Sequence, residues 1–328
     1  MSRLLTPLVT FPQYFSFLIM LKWSNMRRII KGPKITWVDI QDPTPDDVNY
    51  LRKNFKFHPL VLGELIPPGH RPKVEHHQNY LFMGLYYPVY NKEKRETRSR
   101  ELDIIVTKDT VVTSHYRSIL PLKALFDRCN LYKESRRIYM SENSGILLFH
   151  ILSGFWKNCL TKLIQVDRRL DQVEREIFRG KEKEMVSEIS YVKTDIINFW
   201  RILEPQGNIL ESLATEGTKF FGKSLEPYFA DIQGTYGQAW NSLKTYKETV
   251  LALENTNQSL LSTKTNEIIR ILTVFSVIIL PLTLLASLWG MNVIVPFMES
   301  ANGFWIIMGA MVLMTAFMFA YFKKKKWL

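Results

Sequence analysis

Two long apolar runs near the end of the chain dominate its pattern of hydrophobic and polar positions. Residues 271–289 and 303–322 contain no Asp, Glu, Lys or Arg. A helix of about 20 residues is roughly 30 Å long, which matches the hydrocarbon core of a bilayer. The runs therefore predict one transmembrane helix at about 268–290 and a second at 303–322.

Helical spacing also extends through the region before the first span. Apolar residues recur three or four apart, and neither glycine nor proline occurs between Gly237 and Pro281. This pattern predicts a long helical hairpin over 141–225, whose second helix runs from about 182 to 220. It also predicts a stalk helix over 226–290 that continues into the first span.

Residues 26–140 follow a different pattern, which predicts a cytoplasmic α/β domain. The stretches "KITWVDI", "NYLFMGLYYPVY" and "ELDIIVTKDTVVTSHY" are rich in aromatic and β-branched residues, and a Lys-Asp turn divides the third. Thr44 before Pro45 predicts a helix start. The fold class is therefore α+β with two C-terminal transmembrane helices.

Residues 1–25 are predicted to form a disordered or interfacial extension. A signal peptide is less favoured, because no small-residue cleavage site follows.

Positive charge beside the spans sets their predicted orientation. Lys264 and Arg270 precede the first span and the tail 323–328 is lysine-rich, whereas the connection 291–302 has no Lys or Arg. The positive-inside rule places both termini in the cytoplasm and the connection outside a plasma or bacterial inner membrane. The net charge of +12 suits contact with anionic membrane lipid, and no nucleic-acid-binding motif is present.

Candidate chemistry away from the spans is sparse. His70, His76 and His77 lie in "GHRPKVEHHQNY", but their spacing does not match zinc patterns and Pro72 interrupts any helix. The run therefore predicts a solvated loop. A membrane-anchored enzyme that uses these histidines is an alternative hypothesis, but we expect no enzyme because no nucleophile–base arrangement is visible. The two cysteines would be free cytoplasmic thiols.

A partly polar stripe follows one face of the first span. The residues that share this face at helical spacing are Asn266, Ile269, Thr273, Ser276, Leu280, Thr283 and Ser287. Polar side chains at membrane depth normally face a partner helix or water, although any one hydroxyl could instead bond to its own preceding turn. Two spans cannot enclose a pore, so several copies would pack their first spans around an axis.

The tripeptide Gly290–Met291–Asn292 follows the stripe at the outer end of the span. Gly290 supplies permissive backbone to end the helix, and Asn292 supplies an amide oxygen at the outer mouth. Neutral oxygens can accept hydrogen bonds from the water shell that magnesium sheds reluctantly. Carboxylates would hold the ion too long for conduction. These three residues are therefore the predicted selectivity site.

These features together resemble the CorA family of magnesium and cobalt transport proteins. The resemblance rests on two C-terminal spans, the "GMN" tripeptide, the terminus "YFKKKKWL", and the segments "HPLVLGELIPPGHRPKVE" and "PYFADIQ". It implies a funnel-shaped homopentamer that transports magnesium, with cobalt or nickel as further substrates. Implied pore positions are Asn266, Ile269, Leu272, Ser276, Leu280, Thr283 and Ser287.

The resemblance also implies regulation by magnesium bound between subunits. Asp231 matches a regulatory metal ligand, and Asn292 matches the ligand of hydrated magnesium. The chain departs from many relatives by having Ser287 in place of glycine, and Trp289 in place of the usual tyrosine. A proton-coupled zinc transporter of the same superfamily is the alternative. Met291 argues against it, because those relatives usually vary this position.

Overall fold

A computed structural model describes residues 26–66, 72–291 and 302–327. The strands are β1 (Met26–Lys31), β2 (Thr36–Gln41), β3 (Lys73–His77), β4 (Tyr80–Asn91), β5 (Glu96–Val106) and β6 (Thr110–His115). The helices are α1 (Pro45–Asn54), α2 (Pro59–Glu64), α3 (Leu120–Leu131), α4 (Lys133–Met140), α5 (Ser144–Phe178), α6 (Glu182–Leu203), α7 (Gln206–Phe221), α8 (Glu226–Trp289) and α9 (Gly303–Lys324).

The strands form one six-stranded mixed sheet in the order β1-β2-β6-β5-β4-β3. β2 and β6 are parallel, and the other neighbouring pairs are antiparallel. The strand predictions for β2, β4, β5 and β6 are confirmed, including the turn that separates β5 from β6. β5 is longer than β6, so its first six residues, 96–101, extend beyond the point where His115 pairs with Leu102.

Helices cover both faces of this sheet. On one face, Leu51 of α1 and Leu62 of α2 pack with sheet residues that include Ile40. On the other face, the ring of Tyr87 lies 4.2 Å from that of Phe155 of α5, measured between centroids. Both faces are therefore apolar, and a sheet covered on both sides supplies most of the core.

The start of α1 confirms the predicted cap. Thr44 precedes Pro45, and both the backbone N–H and the hydroxyl of Thr44 donate to the carboxylate of Asp47, at 3.1 and 2.7 Å. Asp47 also accepts a hydrogen bond from Arg27 at 3.0 Å. The carboxylate therefore holds the helix start against the neighbouring strand, and this structural role accounts for its burial.

The predicted helix over 182–220 is wrong in one respect, because the structure divides it into α6 and α7. The break falls at Pro205. Proline has no N–H to donate to the carbonyl four residues earlier, and its ring crowds that turn. The apolar spacing continues across the break, which is why periodicity alone predicted one helix.

The two cysteines are free, as predicted, and both are buried. Cys129 lies on α3 and Cys159 on α5. Burial raises the pKa of Cys129 to about 11 and that of Cys159 to about 12. Both thiols are therefore protonated at neutral pH.

The chain divides into two compact units. The first comprises the chain up to Val173 together with Glu188–Leu251; it contains the sheet and is called the sheet domain below. The second comprises Glu174–Ser187 and the chain from Ala252 onward. Two helices, α8 and α9, contain stretches that are long and apolar enough to cross a membrane.

Candidate ion pathway

The predicted pore stripe lies within one sector of α8. At 100° per residue, its positions from Asn266 to Ser287 fall within about 120° of the helix circumference. All of these side chains are exposed in the single chain, and Leu280 is the most open of the aliphatic members at 69%. The stripe is thus a continuous surface that this chain leaves uncovered.

The less exposed side chains of the same stretch lie on the opposite side of α8. Val274 is buried, at 2% exposure. The partly buried positions, read from the same stretch, are Ile278, Pro281, Leu282, Leu285 and Trp289. At 100° per residue this group is centred about 180° from the stripe. The first span therefore has one partly covered side and a wider open surface, and the stripe lies within the open surface.

The hydroxyl groups of the stripe bond within their own helix. Thr273 donates to the carbonyl of Ile269 at 2.7 Å, and Thr283 donates to that of Ile279 at 2.9 Å. Ser276 donates to the preceding turn in the same way, at 2.9 Å. The alternative raised by the sequence, back-bonding of single hydroxyls, therefore applies to these three residues. Each hydroxyl oxygen still has acceptor capacity for water.

The outer end of α8 is described as far as Met291. The helix ends at Trp289, and the N–H of Gly290 bonds to the carbonyl of Ala286 at 3.0 Å. Gly290 does not adopt the left-handed backbone that favours glycine, so its predicted use as a permissive residue is not observed. The predicted selectivity residue Asn292 lies outside the described residues.

Asp231, the predicted regulatory ligand, lies near the start of α8 and is exposed. Its backbone carbonyl accepts a hydrogen bond from Thr235 at 3.0 Å. Its carboxylate makes no ion pair or hydrogen bond within the described parts of the chain. An uncompensated, solvent-facing carboxylate is free to ligate a hard cation such as magnesium.

The sequence left the second regulatory carboxylate unassigned, and Glu64 is a candidate for it in the α/β domain, although its environment differs from that of Asp231. One of its oxygens, Oε1, accepts from Lys73 at 2.8 Å. Its other oxygen, Oε2, is buried and lacks a hydrogen-bond partner among the described residues. The sequence carries no signal for this oxygen, since its lack of a partner depends on tertiary packing around the end of α2.

A buried carboxyl group lies close by in the sheet. Asp103 on β5 is 4% exposed. Burial, together with the charges of Glu101 and Glu64, raises the pKa of Asp103 to about 8. The nearby positive charge of Lys73 opposes this rise. Asp103 is therefore largely protonated at neutral pH, and a neutral carboxyl is a poor metal ligand.

The histidine run is not the predicted loop where the structure describes it. His76 and His77 belong to β3, which pairs with β4, while His70 lies outside the described residues. β3 is an edge strand, and its charged residues obscure the strand pattern. His76 contacts Glu216 at 3.0 Å, and the ring of His77 stacks on another ring. Within residues 26–66, 72–291 and 302–327, no group of three or more metal-ligating side chains forms a site.

The chain thus combines a six-stranded sheet, long helices, and two helices that are long and apolar enough to span a membrane, which is the architecture of a two-span membrane protein. The chain belongs to the CorA family, since the family model described as "CorA-like Mg2+ transporter protein" matches residues 32–324. It is accordingly a divalent-cation transporter.

Relatives and solved structures agree with this membership. The chain is 29% identical to the cobalt/magnesium transport protein CorA of Thermotoga maritima, over 89% of this chain and 83% of that protein. The complete CorA magnesium transporter structure from Methanocaldococcus jannaschii has a TM-score of 0.79 at 22% identity, covering 90% of this chain and 92% of that one. The ZntB cytoplasmic domain from Vibrio parahaemolyticus is more distant, with a TM-score of 0.54 at 11% identity, covering 71% and 90%. These likenesses confirm the predicted fold class.

Proposed function

We propose that this protein is a magnesium channel in which several copies, five in the CorA arrangement, line a pore with the open face of α8. The observation that carries the proposal is the contrast between the two faces of the span. The face with the hydroxyl and amide groups is open, and the opposite, wholly apolar face is partly covered. The hydroxyls donate within their own helix, but their oxygens keep acceptor capacity that water or a partner helix can use. A ring of these faces around an axis supplies both.

The stripe contains no charged side chain. Its hydroxyl oxygens accept hydrogen bonds from the water shell of magnesium without replacing it. Leu272 and Leu280 interrupt the polar positions, and a ring of such side chains forms a dry constriction that closes the pore. In the proposed orientation both termini face the cytoplasm, and Asn292 forms the outer ring.

The main test of this function is ion flux through purified protein in liposomes. Magnesium, cobalt, nickel and zinc are compared under imposed voltage and pH gradients. Asn292→Ala is expected to lower magnesium flux at least about tenfold, because the outer ring then loses its neutral oxygens. Asn292→Asp should bind magnesium more tightly and also conduct poorly.

Asn302→Ala is the matched control, because Asn302 also lies in the connection and its side chain does not cap α9. Magnesium flux through Asn292→Ala at the rate of this control would reject the outer ring. Zinc flux that follows the pH gradient, with little magnesium flux, would favour the zinc-transport alternative.

We further propose that cytosolic magnesium closes the channel by bridging Asp231 of one copy to Glu64 of the next. Two carboxylates at an interface repel each other, and a divalent cation between them replaces repulsion with attraction. The exposed carboxylate of Asp231 and the orphaned oxygen of Glu64 support this pairing. A ligand can favour the closed state only if it binds that state better.

Asp231→Lys is therefore expected to weaken the protection that magnesium gives against protease, and to raise flux at high internal magnesium. Glu226→Lys makes the same charge change on an exposed residue of the same helix and serves as the control. Unchanged protection and unchanged inhibition in Asp231→Lys would remove this residue from the mechanism.

A further inference from the structure

A groove of about 590 Å³ lies at the open edge of β5. It forms because β6 ends at His115 while β5 continues beside β4 through residues 96–101. The side chains that define the groove are Tyr86, Tyr90, Arg98, Arg100, Tyr116 and Arg117. Its volume lies within the range of small-molecule sites. Three guanidinium groups in one groove indicate an anionic ligand.

A short network fixes the position of Arg117. Its backbone is left-handed, with φ of 58°, and its N–H donates to Oδ1 of Asp42 at 2.9 Å. Asp42 is also left-handed, and its own N–H donates to the carbonyl of His115 at 2.9 Å. A left-handed backbone is unfavourable for arginine, and the surrounding hydrogen bonds must enforce it. The fold thus holds Arg117 at the groove under strain.

The arginines of the groove differ in how their charge is compensated. Arg98 forms an ion pair with Glu96 at 2.7 Å. Arg100 and Arg117 form no ion pair within the described parts of the chain. Burial and then the charge of Arg117 lower the pKa of Arg100, while Asp42 opposes that shift. A positive charge on Arg100 is therefore under-compensated, and a bound anion would stabilise it.

The carboxylates near these arginines leave room for a ligand. Asp42 uses Oδ1 for the N–H of Arg117 and Oδ2 for the side-chain amide of Gln41, at 3.2 Å. Glu101 also lines the groove, so the site carries negative as well as positive charge. A singly charged anion would satisfy one guanidinium, whereas a chain of phosphates could span both Arg100 and Arg117. Guanidinium groups match phosphate oxygens in geometry as well as charge.

We propose that this groove binds a multiply charged phosphate anion, held between Arg100 and Arg117. The same chemistry occurs in the polyphosphate tail of a nucleotide and in free inorganic polyphosphate. The site belongs to the sheet domain and does not depend on the proposed transport mechanism.

Binding is tested by calorimetry on the full-length protein in detergent, with EDTA present so that divalent ions do not bridge the components. The probes are ATP, tripolyphosphate and adenosine. We expect ATP and tripolyphosphate to bind, adenosine not to bind, and affinity to fall as salt rises. Binding of ATP without tripolyphosphate would show recognition of the base and overturn the proposal, as would no binding of either.

Two variants locate the site. Arg100→Gln removes one charge, and Arg117→Asn removes the other while keeping a residue that tolerates left-handed backbone. Each is expected to weaken tripolyphosphate binding at least about tenfold, since each guanidinium contributes charge-assisted hydrogen bonds. The control is Arg52→Gln, an exposed arginine on α1 outside the groove. Equal affinity in all three variants, with thermal unfolding unchanged, would overturn the assignment.

Discussion

The sheet domain and the two apolar helices both contain many large hydrophobic side chains, but they bury them differently. In the sheet, Ile40 and Phe82 are almost fully enclosed by this chain alone. In the spans, Leu280 and Phe317 remain 69% and 73% exposed. The same residue types therefore occupy two environments. The side chains of the sheet are buried by the single chain itself, whereas those of the two apolar helices can be covered only by lipid or by further copies of the protein.

This contrast has a thermodynamic consequence. A buried side chain of the sheet domain stabilises the single chain directly, because its contacts are all intramolecular. An exposed side chain of the open α8 face stabilises only an assembly or a membrane-embedded state. Changes in the two regions should therefore appear in different measurements, and the predictions below follow from that separation.

The largest effect is expected from a truncation in the core. Phe155→Ala removes a ring that packs against Tyr87 and should lower the free energy of unfolding by about 4 kcal/mol. Leu280→Ala on the open face should leave unfolding of the sheet domain unchanged but alter magnesium flux. Denaturant unfolding monitored by tryptophan fluorescence checks both variants. Equal loss of unfolding free energy in the two variants would contradict the claim that the sheet core and the open face of α8 contribute to different states.

A smaller effect is expected from the buried carboxyl group. The folded-state pKa of Asp103, about 8, lies above its ordinary value of 3.8. Its contribution to stability is thus fully present below about pH 4 and is lost as pH rises through 8. Asp103→Asn keeps the shape without the charge and should be more stable than the natural protein at pH 8, by about 2 kcal/mol. Melting temperatures at pH 4 and pH 8 test this.

At pH 4 the two proteins should differ little, because Asp103 is protonated in the folded state and still about half protonated in the unfolded state there. Asp109→Asn serves as the control, since Asp109 is exposed in the turn between β5 and β6. A gain in stability that is the same at both pH values would mean that titration of Asp103 is not its cause.

The sequence predicted most of the fold because its signals are local. Alternating and aromatic-rich stretches marked the strands, and Thr44 with Pro45 marked the start of α1. Two departures have local causes as well. Pro205 divides a continuous apolar pattern, and the charged edge strand β3 resembles a loop.

Parts of the candidate sites could not be predicted, because they depend on tertiary placement. Periodicity identified the stripe on α8, but not which side of that helix the chain leaves open. The orphaned oxygen of Glu64 and the groove beside Arg100 arise from packing and from unequal strand lengths. No spacing rule in the sequence encodes either feature.

The smallest expected effect concerns the two faces of the first span. Cysteines introduced at Ser276 and Leu280 should react at least about tenfold faster with a water-soluble thiol reagent than cysteines at Phe275 and Ile279, because only the stripe would line water. Measurements use protein in liposomes. Equal rates around the helix, or faster reaction away from the stripe, would contradict the pore assignment.

Because Cys129 and Cys159 are buried, they should contribute little to the reaction with the thiol reagent. Thiolates are the reactive species, and with pKa values of about 11 and 12 only about one thiol in several thousand, or fewer, is ionised at pH 7.5. Introduced cysteines can therefore be followed without removing the native ones. Cys159 lies one helical turn from Phe155 on α5. The rate at which its thiol is modified therefore measures how often α5 transiently separates from the sheet. Modification of Cys159 should be faster in Phe155→Ala, and it can be measured in the same protein sample as the reaction of the cysteines introduced in α8.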